Sequence, residues 1–357
     1  MANALIGKDL RVLIVDRRQP IHGSSLASTA MIQHEIDVPL HVLKTSVGTK
    51  KAHRIWQRSA GAVEQLGRLV LDLDIKCAFN LKKTLFLAGE KYGARALRAE
   101  VEARRGAGLQ AELIDADALR DRFAIERSAA IESTISASAN PAQLTAAIFR
   151  RAKKDGMEIV SPVEIKDCLP LAEGVALSTA QGRLLSAQSV IFCTGYEFLD
   201  ALASKRQQVI STWAIASRPR LKRPGWLDGY LVWEGSDPYL YFRSTPDGRV
   251  ILGGEDEDGE DAYQDEGKRE RKTKILVEKL ADLTGISIHK PDFAWSAAFG
   301  VTPDGLPMIG EVPGMRNVFV SMGFGGNGIT FSQIAATLIA GEILGRRDAD
   351  WDLFPIS

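Results

Sequence analysis

Four glycines fall within Gly323-Phe-Gly-Gly-Asn-Gly-Ile-Thr330, between a β-branched run and a long apolar stretch. Glycines at such a junction let the backbone approach a ligand closely. A helix starting there offers unsatisfied N–H donors carrying partial positive charge, which would stabilise negative charge developing on a bound molecule. The plainer alternative is a tight strand-to-helix turn with several positive φ angles. A second group is Tyr239-Leu-Tyr-Phe-Arg243, where alternation puts Tyr239, Tyr241 and Arg243 on one strand face and Leu240 and Phe242 on the other. Two phenols beside a guanidinium have the donors to hold a carboxylate, although the same face would suit the wet side of an antiparallel sheet. Asp16 closes the run Leu10-Arg-Val-Leu-Ile-Val-Asp16. An acid at the end of a buried parallel strand is placed to bond ribose hydroxyls in a dinucleotide site.

Other chemistries find no support in the sequence. Cys77, Cys168 and Cys193 are odd in number and far apart, without metal-ligand or disulfide spacing. His22, His34, His41, His53 and His289 are left without a catalytic assignment, and no nucleophile elbow, P-loop or zinc motif is present. The 45 basic residues balance the 45 acidic ones, which argues against nucleic acid or an anionic membrane as partner. No apolar run approaches the roughly 18 to 20 residues of a membrane span. The expected setting is cytoplasmic, and the 357 residues suffice for two ordinary domains.

The elements that must position these groups follow from pattern. Ala2 to Lys8 reads as the last turns of a helix, and Leu10 to Asp16 as a strand. Ser46 to Leu71 has apolar residues at three- and four-residue spacing, as a helix requires. A charged helix is expected near Ala94 to Arg105. Asn140-Pro141 forms an N-cap and first helical position for a helix ending at Gly156. Strands are expected at Glu158 to Val163, Val175 to Thr179 and Ser189 to Thr194, and dominate from Val209 to Leu252. The acidic stretch Glu255 to Glu266 reads as a solvated loop, followed by a charged helix from Arg269 to Leu283. Strand Val318 to Ser321, the glycine loop and a helix from Ile329 to Leu344 close the chain.

Thr302-Pro-Asp-Gly-Leu-Pro-Met-Ile-Gly310, Asn317-Val-Phe-Val and Gly323 to Thr330 together resemble the C-terminal signature of D-amino-acid-oxidase-like flavoproteins. Ile191-Phe-Cys-Thr-Gly195 is similar to their second nucleotide-domain motif, Leu10 to Arg17 to their second strand, and His22-Gly-Ser-Ser-Leu-Ala-Ser28 to the flavin-facing loop. The resemblance implies an α/β fold: a Rossmann-like FAD-binding domain interleaved with an antiparallel-sheet substrate domain. The expected boundaries are 1–75, 140–210 and 300–357 for the first, and 76–139 and 211–299 for the second.

By that resemblance FAD is the cofactor, and Asp16 bonds the adenosine ribose, with Arg17, Ser24 and Ser25 nearby. Val163 meets the adenine through its backbone, and Thr194 and Gly195 form a close turn. Gly325, Gly326, Asn327, Gly328, Ile329 and Thr330 hold the flavin pyrimidine edge. Only fifteen residues precede Asp16, so the family's first strand and pyrophosphate-binding glycine loop are expected before Met1. In Trp295-Ser-Ala-Ala-Phe-Gly300, Phe299 stands where many amino-acid oxidases of this superfamily carry a carboxylate-binding Arg. This resembles relatives that oxidise amines; ordinary core is the plainer reading of such a Phe. The implied reaction is hydride transfer from an amine or amino acid to the flavin, which needs no catalytic base; the electron acceptor is left open. One competing expectation is a remnant that folds, binds FAD poorly and serves as a non-catalytic binding protein. Another is an NAD-linked dehydrogenase, against which the C-terminal glycine loop argues.

Overall fold

The computed structural model describes residues 1–197 and 199–356. The chain opens with α1 (Ala2–Leu5), β1 (Leu13–Val15), α2 (Ser24–Ala27), β2 (Met31–Gln33), α3 (Leu40–Val47) and α4 (Thr49–Asp72). Next come β3 (Asn80–Leu87), α5 (Ala94–Gly106), β4 (Glu112–Asp115), α6 (Ala116–Phe123), β5 (Ala129–Ser138) and α7 (Pro141–Lys154). A run of strands follows: β6 (Glu158–Val160), β7 (Ile165–Pro170), β8 (Val175–Thr179), β9 (Leu184–Ala187) and β10 (Val190–Gly195). The remaining elements are β11 (Gln208–Ala216), β12 (Tyr230–Glu234), β13 (Leu240–Ser244), β14 (Val250–Asp258), α8 (Glu266–Thr284), β15 (Phe293–Val301), β16 (Met308–Glu311), β17 (Val318–Met322) and α9 (Gly328–Ile343).

The fold is mixed α/β. Its largest sheet runs β15-β11-β14-β13-β12-β3-β5-β2, with β4 also paired to β5. Two parallel strand pairs lie in separate smaller sheets. β1 pairs with β6, and β10 pairs with β17, which continues into antiparallel β16. β1 and β10 do not bond to each other, yet their carboxyl ends meet, because Arg17 and Arg18 past β1 reach Glu197 past β10.

Local signals explain most elements. Asn140 accepts the Gln143 N–H at 3.0 Å, the cap read from the sequence. The expected helix over Ser46 to Leu71 is two helices, because Gly48 takes φ 84° and breaks the run. The expected strand over Leu10 to Asp16 shortens to β1. The acidic stretch from Glu255 is not a solvated loop at its start, since β14 extends through Asp258 with Glu255 buried. Lysines of α8 pair with Glu255 and Glu257 at this end of the strand. α8 sits on one sheet face through Leu276, Leu280 and Leu283, which pack with Trp213, Phe242 and Leu252. Fully burying each such leucine contributes about 1.5–3 kcal/mol.

A buried charge network ties helices to the sheet. Arg104 on α5 meets Glu100 at 2.7 Å, Glu35 and the Ser133 hydroxyl, and all three charged side chains are fully buried. The guanidinium lies 4.9 Å from the Trp56 ring, and Trp233 donates its indole N–H to Glu35 at 3.1 Å. Burial pushes the Glu100 carboxyl up. The Arg104 charge and donors on His41 outweigh that and hold it down to about 2.

Arg104→Met would leave two buried carboxylates without their cation, so it should cost about 3–5 kcal/mol in urea denaturation. Because the folded Glu100 pKa is depressed, its contribution is present above its ordinary value of 4.5 and is lost as pH falls towards about 2. Acid titration of wild-type stability checks this, and the slope in that window should be smaller in Glu100→Gln.

Candidate active site

At the meeting point of β1 and β10, the Asp16 carbonyl accepts the Val163 N–H at 2.8 Å, and its Oδ1 accepts the Arg18 N–H at 2.9 Å. The residues expected at ribose and adenine are therefore neighbours, and the Val163 N–H is already engaged. Arg17 and Arg18 pair with Glu197 at 2.7 and 2.6 Å. Burial raises the Glu197 carboxyl, but the two arginines prevail and hold it below its usual range. Gly195 has φ 69° and follows an exposed Thr194. Ser24 and Ser25 open α2, which lies against β15 through the Trp295 indole donating to the Ala27 carbonyl at 2.9 Å.

At the other end, positive φ falls on Gly323 (72°) and Gly325 (53°), while Gly326 is not in that region. The turn carries a carboxylate. Gly326 donates its N–H to Asp37 Oδ2 at 2.8 Å, and the Asn327 amide donates to Oδ1 at 3.3 Å. A Cβ at Gly325 would overlap that carboxylate, and one at Gly326 would lie 3.0 Å from Oδ1. Gly328 starts α9, Ile329 is half-buried, and buried Thr330 donates to the Gln33 carbonyl at 2.9 Å. Burial raises the Asp37 carboxyl and the Gly326 N–H draws it back. Asp37 is exposed, and Tyr239 and Asp256 lie close enough to feel its charge, so the three line one recess.

The sheet supplies the opposite wall. Register places Phe299 beside Ile210, Ala297 beside Thr212, and Trp295 beside Ala214; Gly253 lies across from Tyr241. Tyr239 and Tyr241 have ring centroids 5.8 Å apart, and burial raises both hydroxyls well above the usual range. A Cβ on Gly253 would lie 2.6 Å from Tyr241 Cζ, so glycine there lets the phenol rest on bare backbone.

Arg243 shares the face of Tyr241, as alternation requires, but its guanidinium is occupied. It donates to the carbonyls of Thr29 at 2.6 Å, Ser244 at 3.2 Å and Ala139 at 3.3 Å, and is 3% exposed. Burial lowers it to about 10, with Tyr241 the opposing influence. Two acids that the sequence reading missed face the same recess. Asp37 stands among apolar neighbours without a motif, and Asp256 was hidden inside the acidic stretch.

Residues 1–341 match the DAO family, FAD dependent oxidoreductase, and the chain belongs to that family. The γ-glutamylputrescine oxidoreductase of Escherichia coli (strain K12) is 21% identical over 95% of this chain and 79% of its own. A Bacillus subtilis (strain 168) protein described as a Rieske 2Fe-2S iron-sulfur protein, YhfW, is 21% identical over 95% of this chain. The chain spans 65% of the length of that relative. Among solved structures, glycine oxidase from Geobacillus kaustophilus superposes with TM-score 0.79 at 21% identity, covering 100% of this chain and 94% of that one. L-Proline dehydrogenase from P. horikoshii gives 0.78 at 17%, covering 99% and 93%. Both show the fold.

FAD is the cofactor of this family, and the residues present suit it. The Asp37 carboxyl seated on Gly326 shows that the α9 turn offers a free-standing N–H donor to an acceptor oxygen, the property that binding a flavin pyrimidine edge would require. Asp37 would have to release that N–H to a flavin oxygen. Asp16 and Val163 are neighbours, and they are the residues that would meet the adenosine end. Gly325→Val introduces a β-branched side chain at φ 53° and fills the cradle. It should weaken FAD binding at least tenfold, about 1.4 kcal/mol, in a flavin-fluorescence titration. A folded variant with unchanged affinity would remove the turn from the cofactor site.

Proposed function

We propose that this chain oxidises the C–N bond of an amine lacking an α-carboxylate. The observation that carries the reading is Arg243, each of whose three guanidinium nitrogens already donates to a backbone carbonyl, of Thr29, Ser244 and Ala139. A buried carboxylate without a counter-charge costs several kcal/mol, so an amino-acid substrate would need another cation. Phe299, at the position where the resemblance leads one to expect Arg, offers an apolar wall instead. Asp37 and Asp256 add negative charge, which repels a carboxylate and attracts an ammonium. The names of relatives span both substrate classes, from γ-glutamylputrescine to glycine and L-proline, so these residues are what favour one over the other.

When bound, FAD supplies the hydride acceptor. The protein's share is orientation and exclusion of water. Tyr239 and Tyr241 present aromatic surface to a cation, an interaction worth about 0.5–2 kcal/mol. Asp37, Asp256 and the wall of Phe299 and Trp295 bound the space in which the amine would lie.

Anaerobic mixing of the flavin-loaded protein with a panel of amines and α-amino acids tests this reading. Loss of visible flavin absorbance should be at least tenfold faster with the best amine than with any amino acid, about 1.4 kcal/mol in transition-state terms. Reduction by α-amino acids alone would reverse the assignment. Arg243→Met should lower stability by about 1–3 kcal/mol through unsatisfied carbonyls, while leaving the amine preference in place.

A further inference from the structure

Glu255, Asp256 and Glu257 are consecutive acids on β14, yet only two of them have cations. Glu255 is paired with Lys279 and with Lys272 at 3.5 Å, and Glu257 with Lys268 at 2.5 Å, all from α8. Asp256 forms no ion pair among the described residues. The difference comes from the strand. Gly253 lies on the recess face opposite Tyr241, and strict alternation would send Glu255 to that face and Asp256 towards α8. The β11–β14 pairing instead shifts register between Ser211 and Trp213, with Gly254 at φ 132° and Glu255 at φ 59°. This bulge inserts one residue and re-aims the next side chain. Asp256 turns into the recess, onto the hydroxyls of Thr212 and Tyr239. Its Oδ1 is shielded from bulk water and has no hydrogen-bond partner, an unfavourable condition that an arriving donor would relieve. Glu255 adopts a backbone conformation that is rare outside glycine, so the fold spends strain to point one carboxylate at the candidate substrate space.

We propose that Asp256 is a catalytic residue that receives the ammonium group of the substrate and takes its proton. The inference rests on the reading of the recess as the place where the substrate's amino group binds, whether or not that substrate carries an α-carboxylate. In the step, an N–H bond of R–CH2–NH3⁺ breaks, its electron pair stays on nitrogen, and the proton joins Asp256 to give R–CH2–NH2 and a neutral carboxylic acid. No electrons leave either partner. The neutral amine then has the lone pair that assists hydride departure from its α-carbon. The charged and titratable groups facing Asp256 are Tyr239, Asp37 from the segment after β2, and Asp237 from the β12–β13 loop. Tyr241 feels it across the strand, and Arg243 lies beyond Tyr241. The lysines of α8 are on the opposite face. Burial chiefly raises the Asp256 carboxyl, and Asp37 and Asp237 add to this; the hydroxyls of Thr212 and Tyr239 oppose it, leaving it at about 6. The carboxylate base is thus present above that pH and lost below it.

The test is the pH profile of kcat and kcat/KM for Asp256→Asn and Asp256→Glu holoenzymes. The substrate is whichever panel compound reduces wild-type flavin fastest, so a preference for amino acids would overturn the amine reading without touching this one. Near neutral pH, Asp256→Asn should lose about 100-fold or more in kcat/KM. The loss should shrink by about tenfold per pH unit towards the amine's own pKa, because free amine no longer needs the base. The wild-type acid limb near pH 6 should vanish in the Asn variant and move in the Glu variant. A uniform rise in KM at every pH, with the acid limb retained, would overturn the proposal. If Asp256→Asn loses flavin or melts early, the Glu variant decides, since an acid limb that does not move assigns the titration elsewhere. A wild-type flavin that no panel compound reduces overturns both readings.

Discussion

One short segment, Ser24 to Asp37, has to be held between the large sheet and α9, and the recess depends on it. Its anchors come from different parts of the chain. Trp295 bonds the Ala27 carbonyl and Arg243 the Thr29 carbonyl, Thr330 bonds the Gln33 carbonyl, and Ser59 donates to the His34 carbonyl. Burial lowers His34, so its neutral ring donates through Nδ1 to the Ile135 carbonyl at 2.8 Å. Glu35 is fixed by Arg104 and Trp233, and Asp37 by Gly326. A loop rich in backbone carbonyls is expensive to bury without donors. Here four side chains, Trp295, Arg243, Thr330 and Ser59, provide them, and the segment becomes a wall.

The charges follow from that arrangement. Arg243 is a buried cation without a counter-charge; burial depresses its pKa, and its bonds to neutral carbonyls make it a clamp on the chain. Asp256 is an acid in a recess with hydroxyls but no cation; burial raises its pKa against the pull of those hydroxyls and leaves it without a positive partner. The two lie on one sheet face, and neither neutralises the other. An ammonium entering from outside would complete the electrostatics of this face, whereas a carboxylate would worsen them.

Much of the fold was legible because its signals are local. Glycines between a β-branched run and an apolar run announced α9, Asn140-Pro141 announced α7, and alternation put Tyr241 and Arg243 on one face of β13. The motif order carried the family. What escaped was set by tertiary contact or by backbone irregularity. The bonding of Arg243 to carbonyls of residues 104 and 214 positions away has no periodic signature. Asp256 was lost because acids in a row read as solvated. A faint signal existed: Glu255 and Glu257 two apart, then Lys268, Lys272 and Lys279 on one helical face to receive them, leaving Asp256 unmatched. The division of the parallel strands into two sheets was also beyond pattern, since each short strand reads the same whether or not its edges are paired.

The account stands on this chain holding FAD between the carboxyl ends of β1 and β10 and the α9 turn. Equilibrium titration of the purified protein with FAD, followed by quenching of flavin fluorescence and by visible absorbance after gel filtration, addresses that directly. The account predicts saturable binding of one FAD per chain and a yellow protein peak. A colourless peak, with fluorescence unchanged at every protein concentration, would contradict it.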